Sequence, residues 1–287
     1  MTWDVSGKTV LLTGASNGIG LEASVQLARR GARVVMVGRD PARTEAAVAD
    51  VVARSGSSTV SSLLCDFSSQ AAIRRLASEF QAGHDRLDVL VNNAGGVNKT
   101  RRLTGDGIEA TFAVNHLGYF LLTGLLEDLL VRSAPARVVT VASVGHRGGT
   151  MDFADLGYQR GYSTMKAYSR SKLGNVLFSA ELARRLAGTG VTSNSLHPGT
   201  VATNIWSGAP GWAKPIIRLA VRPFMISAAK GAERIVQLAA DPALDGVTGK
   251  YFEEFKAVAP ARLAQDEALA KRLWQVSADL VSLSPVR

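Results

Sequence analysis

Residues 8–20 read Lys-Thr-Val-Leu-Leu-Thr-Gly-Ala-Ser-Asn-Gly-Ile-Gly, an apolar run that meets three glycines and passes straight into a helical pattern. A glycine cluster alone marks only a tight turn. The setting makes it restrictive, because short β-branched runs alternate with longer helical patterns through the first half of the chain, the signature of βαβ units and a parallel sheet. Residues 8–13, 33–38, 59–65, 87–92 and 137–143 read as buried strands, with continuous apolar runs in place of alternation. Stretches at 191–197 and 249–253 complete a predicted seven-stranded sheet. Helices are predicted over 19–30, 41–54, 70–82, 106–131, 164–187 and 228–240. The expectation is a doubly wound α/β Rossmann fold with helices on both faces of the sheet.

A length of 287 residues is enough for a full core, and no Pro/Ser-rich linker, composition shift or internal repeat divides it, so residues 1–287 read as one domain. The lone cysteine, Cys65, excludes an internal disulfide and any multi-cysteine metal site. Two uncharged stretches, 110–126 and 188–213, are too rich in polar residues, glycine and proline to face lipid as helices. The opening Met-Thr-Trp-Asp-Val-Ser-Gly-Lys has no signal-peptide pattern, and a cytoplasmic location is expected. Net charge is +9, and residues 156–232 account for all of it, with ten basic side chains against Glu181. Most of these read as a solvated basic face; a positive field around a polyanionic ligand is the second reading. Nucleic acid is not expected, since no recognition motif accompanies them.

At a strand-to-helix turn, glycines let the backbone approach a pyrophosphate, and the following helix offers free N–H groups and its positive dipole end. The spacing here is Gly-x-x-x-Gly-x-Gly, different from the common Gly-x-Gly-x-x-Gly. Strand two ends Val37-Gly38-Arg39-Asp40, with glycine where an NAD-binding chain places an acid for the ribose 2′-OH. Arg39 is placed to bond a 2′-phosphate, which points to NADP(H). The plainer reading is a surface Arg39, with Asp40 capping the next helix under either reading.

Further along stand Asp66 and Phe67, Asn92-Asn93-Ala94-Gly95, Asn115, Ser143, Tyr168-Ser169-Arg170-Ser171-Lys172, and His197-Pro198-Gly199 with Val201 and Thr203. In this order, together with Thr13–Gly20, they cover nearly the whole chain. The chain resembles the short-chain dehydrogenase/reductases, and within them the branch similar to the retinol dehydrogenases. The resemblance implies an NADP(H) site in which Gly14, Ser16, Asn17, Gly18, Ile19 and Gly20 hold the diphosphate. Asp66 and Phe67 border the adenine, Asn93, Ala94 and Gly95 line the cofactor, and Pro198, Gly199, Val201 and Thr203 hold the nicotinamide carboxamide. Tyr168 and Lys172 are implied to touch the cofactor as well. The long fourth and fifth helices are implied as faces of a homo-oligomer.

The chemistry follows from the residue types. Reducing a carbonyl needs hydride on carbon and a proton on oxygen, hence a proton donor beside the nicotinamide. A tyrosine serves near neutral pH when a cation stabilises its phenolate. Tyr168 and Lys172 lie four apart, on one face of a predicted helix, so Lys172 supplies that field. The resemblance assigns Ser143 to orient the substrate oxygen and Asn115 to position Lys172 through a water relay. A second pair, Tyr162 and Lys166, lies six residues upstream and faces elsewhere. The resemblance selects Tyr168, and Tyr162 is read as belonging to the helix start.

The insertion at 145–161 is what makes the chain similar to the retinol dehydrogenase-like branch, and its plainer reading is a surface loop. The resemblance implies that residues 204–227 form a lid over the substrate; their apolar side chains suit an apolar one, and the basic and apolar mix at 211–226 also suits a membrane surface or a second subunit. His146, without a paired acid, reads as a loop or substrate-contact residue. The four histidines show no metal-ligand spacing, and no catalytic metal is expected. The expected function is NADP(H)-dependent interconversion of an apolar alcohol and its aldehyde or ketone. The alternatives are reduction of an activated C=C bond, as in chains similar to protochlorophyllide reductase, and a non-catalytic NADPH-binding regulator.

Overall fold

The apolar run of β1 (Thr9–Thr13) is continuous because both faces of that strand are covered. Val10 and Leu12 pack on one side with Leu27 and Ile235, and Leu11 packs on the other with Leu76 and Leu122. The computed structural model describes residues 3–200 and 226–283. After β1 come α1 (Gly18–Arg29), β2 (Arg33–Gly38), α2 (Pro41–Ser55), β3 (Val60–Leu64), α3 (Gln70–Gly83) and β4 (Val89–Asn92). The short α4 (Ala110–Phe112) runs through a π-turn (Ala113–Leu117) into α5 (Gly118–Arg132), followed by β5 (Ala136–Val141), α6 (Thr164–Arg185) and β6 (Val191–Leu196). Then come α7 (Ala228–Ala240), β7 (Tyr251–Glu253), β8 (Lys256–Val258) and α8 (Glu267–Leu280).

The strands form one sheet in the order β3-β2-β1-β4-β5-β6-β7-β8. β1 to β7 are parallel, and the reversal of strand order beside β1 opens the crevice at the C-terminal strand ends where ligands bind in such sheets.

Three expectations are corrected. The sheet has eight strands, not seven, because β8 folds back antiparallel on β7. Its turn, Glu254-Phe255, has φ of 46° and 69° without glycine or asparagine, so the usual hairpin signal is missing. β3 is an edge strand whose side chains are exposed or half-buried, not a buried one. The helix expected over 106–131 begins at Ala110, where Glu109 accepts hydrogen bonds from the amides of Thr111 and Phe112 (2.8 Å each), and it is broken by the π-turn.

α8 has no counterpart among the predicted helices, although its pattern is legible: Asp266 caps it, and Ala270, Leu273, Trp274, Ser277 and Ala278 fall on one buried face. That face covers α5 and α6, where Trp274 stacks on Phe178 (centroids 5.9 Å apart) and meets the edge of Phe120 at 4.8 Å. Part of the surface of α5 and α6 expected to pair subunits is therefore filled by the chain itself. Of the described basic residues in 156–232, Arg160, Lys166, Arg184 and Lys230 are exposed, as expected for a solvated face. Arg170 and Lys172 are buried, and Arg184 and Arg185 pair with Glu181. Among the described residues no helix is long and apolar enough to cross a membrane.

Candidate active site

The glycine turn is tied to the end of β4 by one threonine and one asparagine. Thr13 Oγ1 accepts from the amides of Asn93 (2.8 Å) and Ala94 (3.0 Å) and donates to the Val91 carbonyl (3.1 Å). Asn93 Nδ2 donates back to the carbonyls of Thr13 (2.8 Å) and Gly14 (3.1 Å). Gly14 has φ +66°, and a Cβ there would lie 2.7 Å from Ala94 Cα; a Cβ on Gly20 would lie 2.3 Å from the Gly14 carbonyl oxygen. Gly18, at φ +56°, faces open space. The Asn17 side chain makes no capping bond, and the first turn of α1 carries no acid. The helix thus presents free amides and its dipole to a bare backbone concavity, with Ser16, Asn17 and Ile19 at its accessible rim. That cradle fits a dinucleotide diphosphate.

At the end of β2, a Cβ on Gly38 would fall 2.0 Å from Thr44 Oγ1, so the packing of α2 on β2 excludes an acid at that place. Arg39 is exposed there, and Asp40 caps α2 by accepting from the Arg43 amide at 2.9 Å, as expected. Asp66 is half-buried and accepts from the Ser68 amide (2.9 Å). The Phe67 ring goes into the core, close to Gly118, which leaves Asp66 as the side chain presented at the end of β3.

The end of β5 meets α6. Ser143 follows β5, its Oγ accepts from the Gly145 amide (3.1 Å), and Tyr168 faces it across that glycine. A side chain on Gly145 would crowd Tyr168 Cε1 at 3.3 Å and Ser143 Oγ at 3.4 Å, so glycine keeps the gap between them clear. Lys172 is buried one turn on, its Nζ donating to the Val141 carbonyl (2.9 Å) and standing 5.7 Å from the centre of the Tyr168 ring. Asn175 Nδ2 donates to the same carbonyl at 3.2 Å. Asn115 sits in the π-turn, an irregularity that recurs at functional sites. Its Oδ1 accepts from the Gly96 amide (2.9 Å), and its Nδ2 donates to the Gly96 carbonyl (2.9 Å) and to Ser171 Oγ (3.1 Å). It therefore reaches α6 one residue before Lys172. Gly95 lies beside it, where a Cβ would be 3.1 Å from Asn115 Oδ1.

The electrostatics depart from expectation in one respect. Burial lowers Lys172 to about 7, so its ammonium is only partly charged near neutrality. Burial also pushes the Tyr168 phenol up. The depression of Tyr168 expected from Lys172 is not seen: burial is the larger influence, and Ser143 is what opposes it.

Tyr162 precedes α6, and its hydroxyl donates to the Asn98 carbonyl (2.8 Å) while Lys166 points to solvent. The pair belongs to the helix start, as read from the sequence. On the opposite side, Pro198 is buried and Gly199 adopts φ +96° against Ile226 and Arg234. Val201, Thr203, the lid through Met225 and most of the 211–226 segment lie outside the described residues.

His146 lies in the connection between β5 and α6, but it is not exposed to a substrate. It is fully buried, with Nδ1 2.6 Å from the Ser143 carbonyl and Nε2 accepting from the Ala261 amide at 3.0 Å. Its partner lies more than a hundred residues away, which no local signal discloses. Ser171 stands in the sequence only as part of the Tyr168–Lys172 run; its hydroxyl also donates to the Tyr168 carbonyl at 2.7 Å.

The family model described as short chain dehydrogenase matches residues 8–213. Human retinol dehydrogenase 13 is 42% identical over 284 residues, covering 97% of this chain and 86% of its own. Human retinol dehydrogenase 14 is 42% identical, covering 96% and 87%. Among solved structures, an uncharacterized protein from Mycobacterium paratuberculosis superposes with a TM-score of 0.79 at 33% identity, covering 99% of this chain and 97% of its own. RhlG of Pseudomonas aeruginosa, solved as an NADP active-site complex, gives 0.71 at 26% identity over 93% and 98%. The chain, an α/β oxidoreductase similar to the retinol dehydrogenases, belongs to the short-chain dehydrogenase family.

Proposed function

We propose that the protein uses NADP(H) to interconvert an apolar alcohol and its aldehyde or ketone, with Tyr168 as acid and base. One observation carries this reading: Ser143 and Tyr168 face each other across Gly145, with buried Lys172 behind the tyrosine and no carboxylate paired to it among the described residues. A purely structural lysine buried at such cost would be paired. When bound, the nicotinamide gives or takes the hydride. Ser143 Oγ and the Tyr168 hydroxyl hold the substrate oxygen between them, and Tyr168 gives that oxygen its proton in reduction or takes it in oxidation. Lys172, held at the Val141 carbonyl behind the ring, steadies the phenolate while protonated.

The preference for NADP(H) rests on Gly38, where an acid has no room, and on Arg39, exposed beside the place of a 2′-phosphate. The RhlG complex with NADP supports it from outside the chain. The names of the retinol dehydrogenase relatives support an apolar alcohol or carbonyl compound as substrate. The test is oxidation of NADPH and of NADH against apolar aldehydes, ketones and enones, retinal among them. Turnover preferring NADPH and a carbonyl compound is expected. Reduction of enones at C=C with simple carbonyls untouched would move the assignment to the other reductase class, and a preference for NADH would remove the role of Arg39.

A further inference from the structure

Both walls of the crevice lean on one remote stretch of chain. The Ser143 carbonyl receives two donors from one residue, the His146 amide (3.1 Å) and His146 Nδ1 (2.6 Å). The Ala261 amide donates to His146 Nε2, so the ring's single proton must sit on Nδ1, where Ser143 needs it. Remove the Ala261 donor and the tautomer is no longer specified. The ring is fully buried against Tyr251, centroids 4.7 Å apart, so no water competes for either nitrogen.

The opposite wall repeats the arrangement. His116 follows Asn115 in the π-turn, is fully buried, and shares a hydrogen bond through Nε2 with Ser277 Oγ of α8 (3.0 Å). Its ring lies flat against α6: a Cβ on Gly174 would be 2.9 Å from Nδ1, and Phe112 closes the other side at 4.9 Å. His116 therefore links the turn carrying Asn115 to the C-terminal helix across the helix that carries Lys172.

We propose that residues 261–277 are a working part of the active site, in which Ala261 and Ser277 act through His146 and His116 as positioning residues for Ser143 and Asn115. The proposal rests on the dehydrogenase reading of that site. It places the specification of the reacting geometry partly outside residues 8–213, the stretch matched by the family model.

Two variants break the links without touching the crevice. Ala261→Pro deletes the donor, and Ala261 already has φ −56°, within proline's range. Ser277→Ala deletes the hydroxyl. Losing one buried hydrogen bond at a positioning group corresponds to about a tenfold fall in kcat for Ala261→Pro and about threefold for Ser277→Ala, with the NADPH Kd unchanged. In a His146→Asn background, Ala261→Pro should cost nothing further, because the link is already cut. Val51→Ala, a core truncation in α2, controls for stability: it should lower Tm and leave kcat at the wild-type value. Hydrogen exchange supplies a readout independent of turnover, with faster exchange at 143–148 in Ala261→Pro and at 113–118 in Ser277→Ala. Wild-type kcat and wild-type exchange in both variants overturn the proposal, as does a kcat loss in Val51→Ala that tracks its Tm. If the wild-type protein shows no Tyr168-dependent turnover, the dehydrogenase reading fails instead, and unchanged exchange then overturns the links on their own terms.

Discussion

The crevice has two ends built on different plans. At β1 the diphosphate cradle is made of backbone, and nearly everything that shapes it lies within residues 13–20 or at the adjoining end of β4. At β5 the proposed reacting end is made of side chains, and their supports come from the far C-terminal part of the chain at Ala261 and Ser277. A backbone cradle needs only glycine where a Cβ would collide and a helix with free amides. A proton-transfer site needs hydroxyls and an amine held in fixed rotamers, which takes packing from several directions.

The largest test of that contrast is at Gly20. Gly20→Val places side-chain carbon inside the Gly14 carbonyl, so the turn must open, and measurable NADPH binding should vanish in a titration followed by cofactor fluorescence. Retained binding would show that the cradle tolerates a shifted backbone. Next is Arg39→Ala, which removes a charge-assisted contact and should weaken NADPH by roughly ten- to a hundredfold while leaving NADH almost untouched. Equal weakening of both would make Arg39 a general electrostatic contributor.

The reacting end is sharpened by stability against pH. Lys172 titrates at about 7 in the folded chain against 10.5 ordinarily, so between those values the unfolded chain holds more protons and stability rises with pH. Lys172→Met should therefore raise Tm most below pH 7, with the gain fading toward pH 10.5, while abolishing turnover. A Tm that falls at every pH would mean the Val141 bond outweighs the cost of burial. The smallest effect concerns acid. Burial holds His116 and His197 at about 4 against 6.5, so stability should fall as pH drops from 6.5 to 4 because the unfolded chain takes up protons first. Urea titrations across that window should show the slope reduced by about one proton in His197→Asn. An unchanged slope would assign the acid lability to other groups.

The same division explains what could be read from residue order. The cradle, the Asp40 cap, the Tyr168–Lys172 face and the parallel order of the first strands follow from local rules of glycine, capping and helical spacing. β8 escapes because Glu254 and Phe255 carry its turn at positive φ without a turn residue. His146 escapes because its meaning lies in an amide far along the chain, and Asn115 is displaced by a π-turn that periodicity does not announce. α8 is different: its capped, periodic face is plain in the residues, and its effect on α5 and α6 appears only when the helix is packed.

The most direct measurement compares wild type with Tyr168→Phe in single-turnover reduction of an apolar aldehyde by bound NADPH. Loss of the acid should slow the chemical step by roughly a hundredfold or more with the NADPH Kd unchanged, since Phe keeps the ring and removes only the proton donor. Equal single-turnover rates in the two proteins would contradict the assignment of Tyr168 as the acid and base.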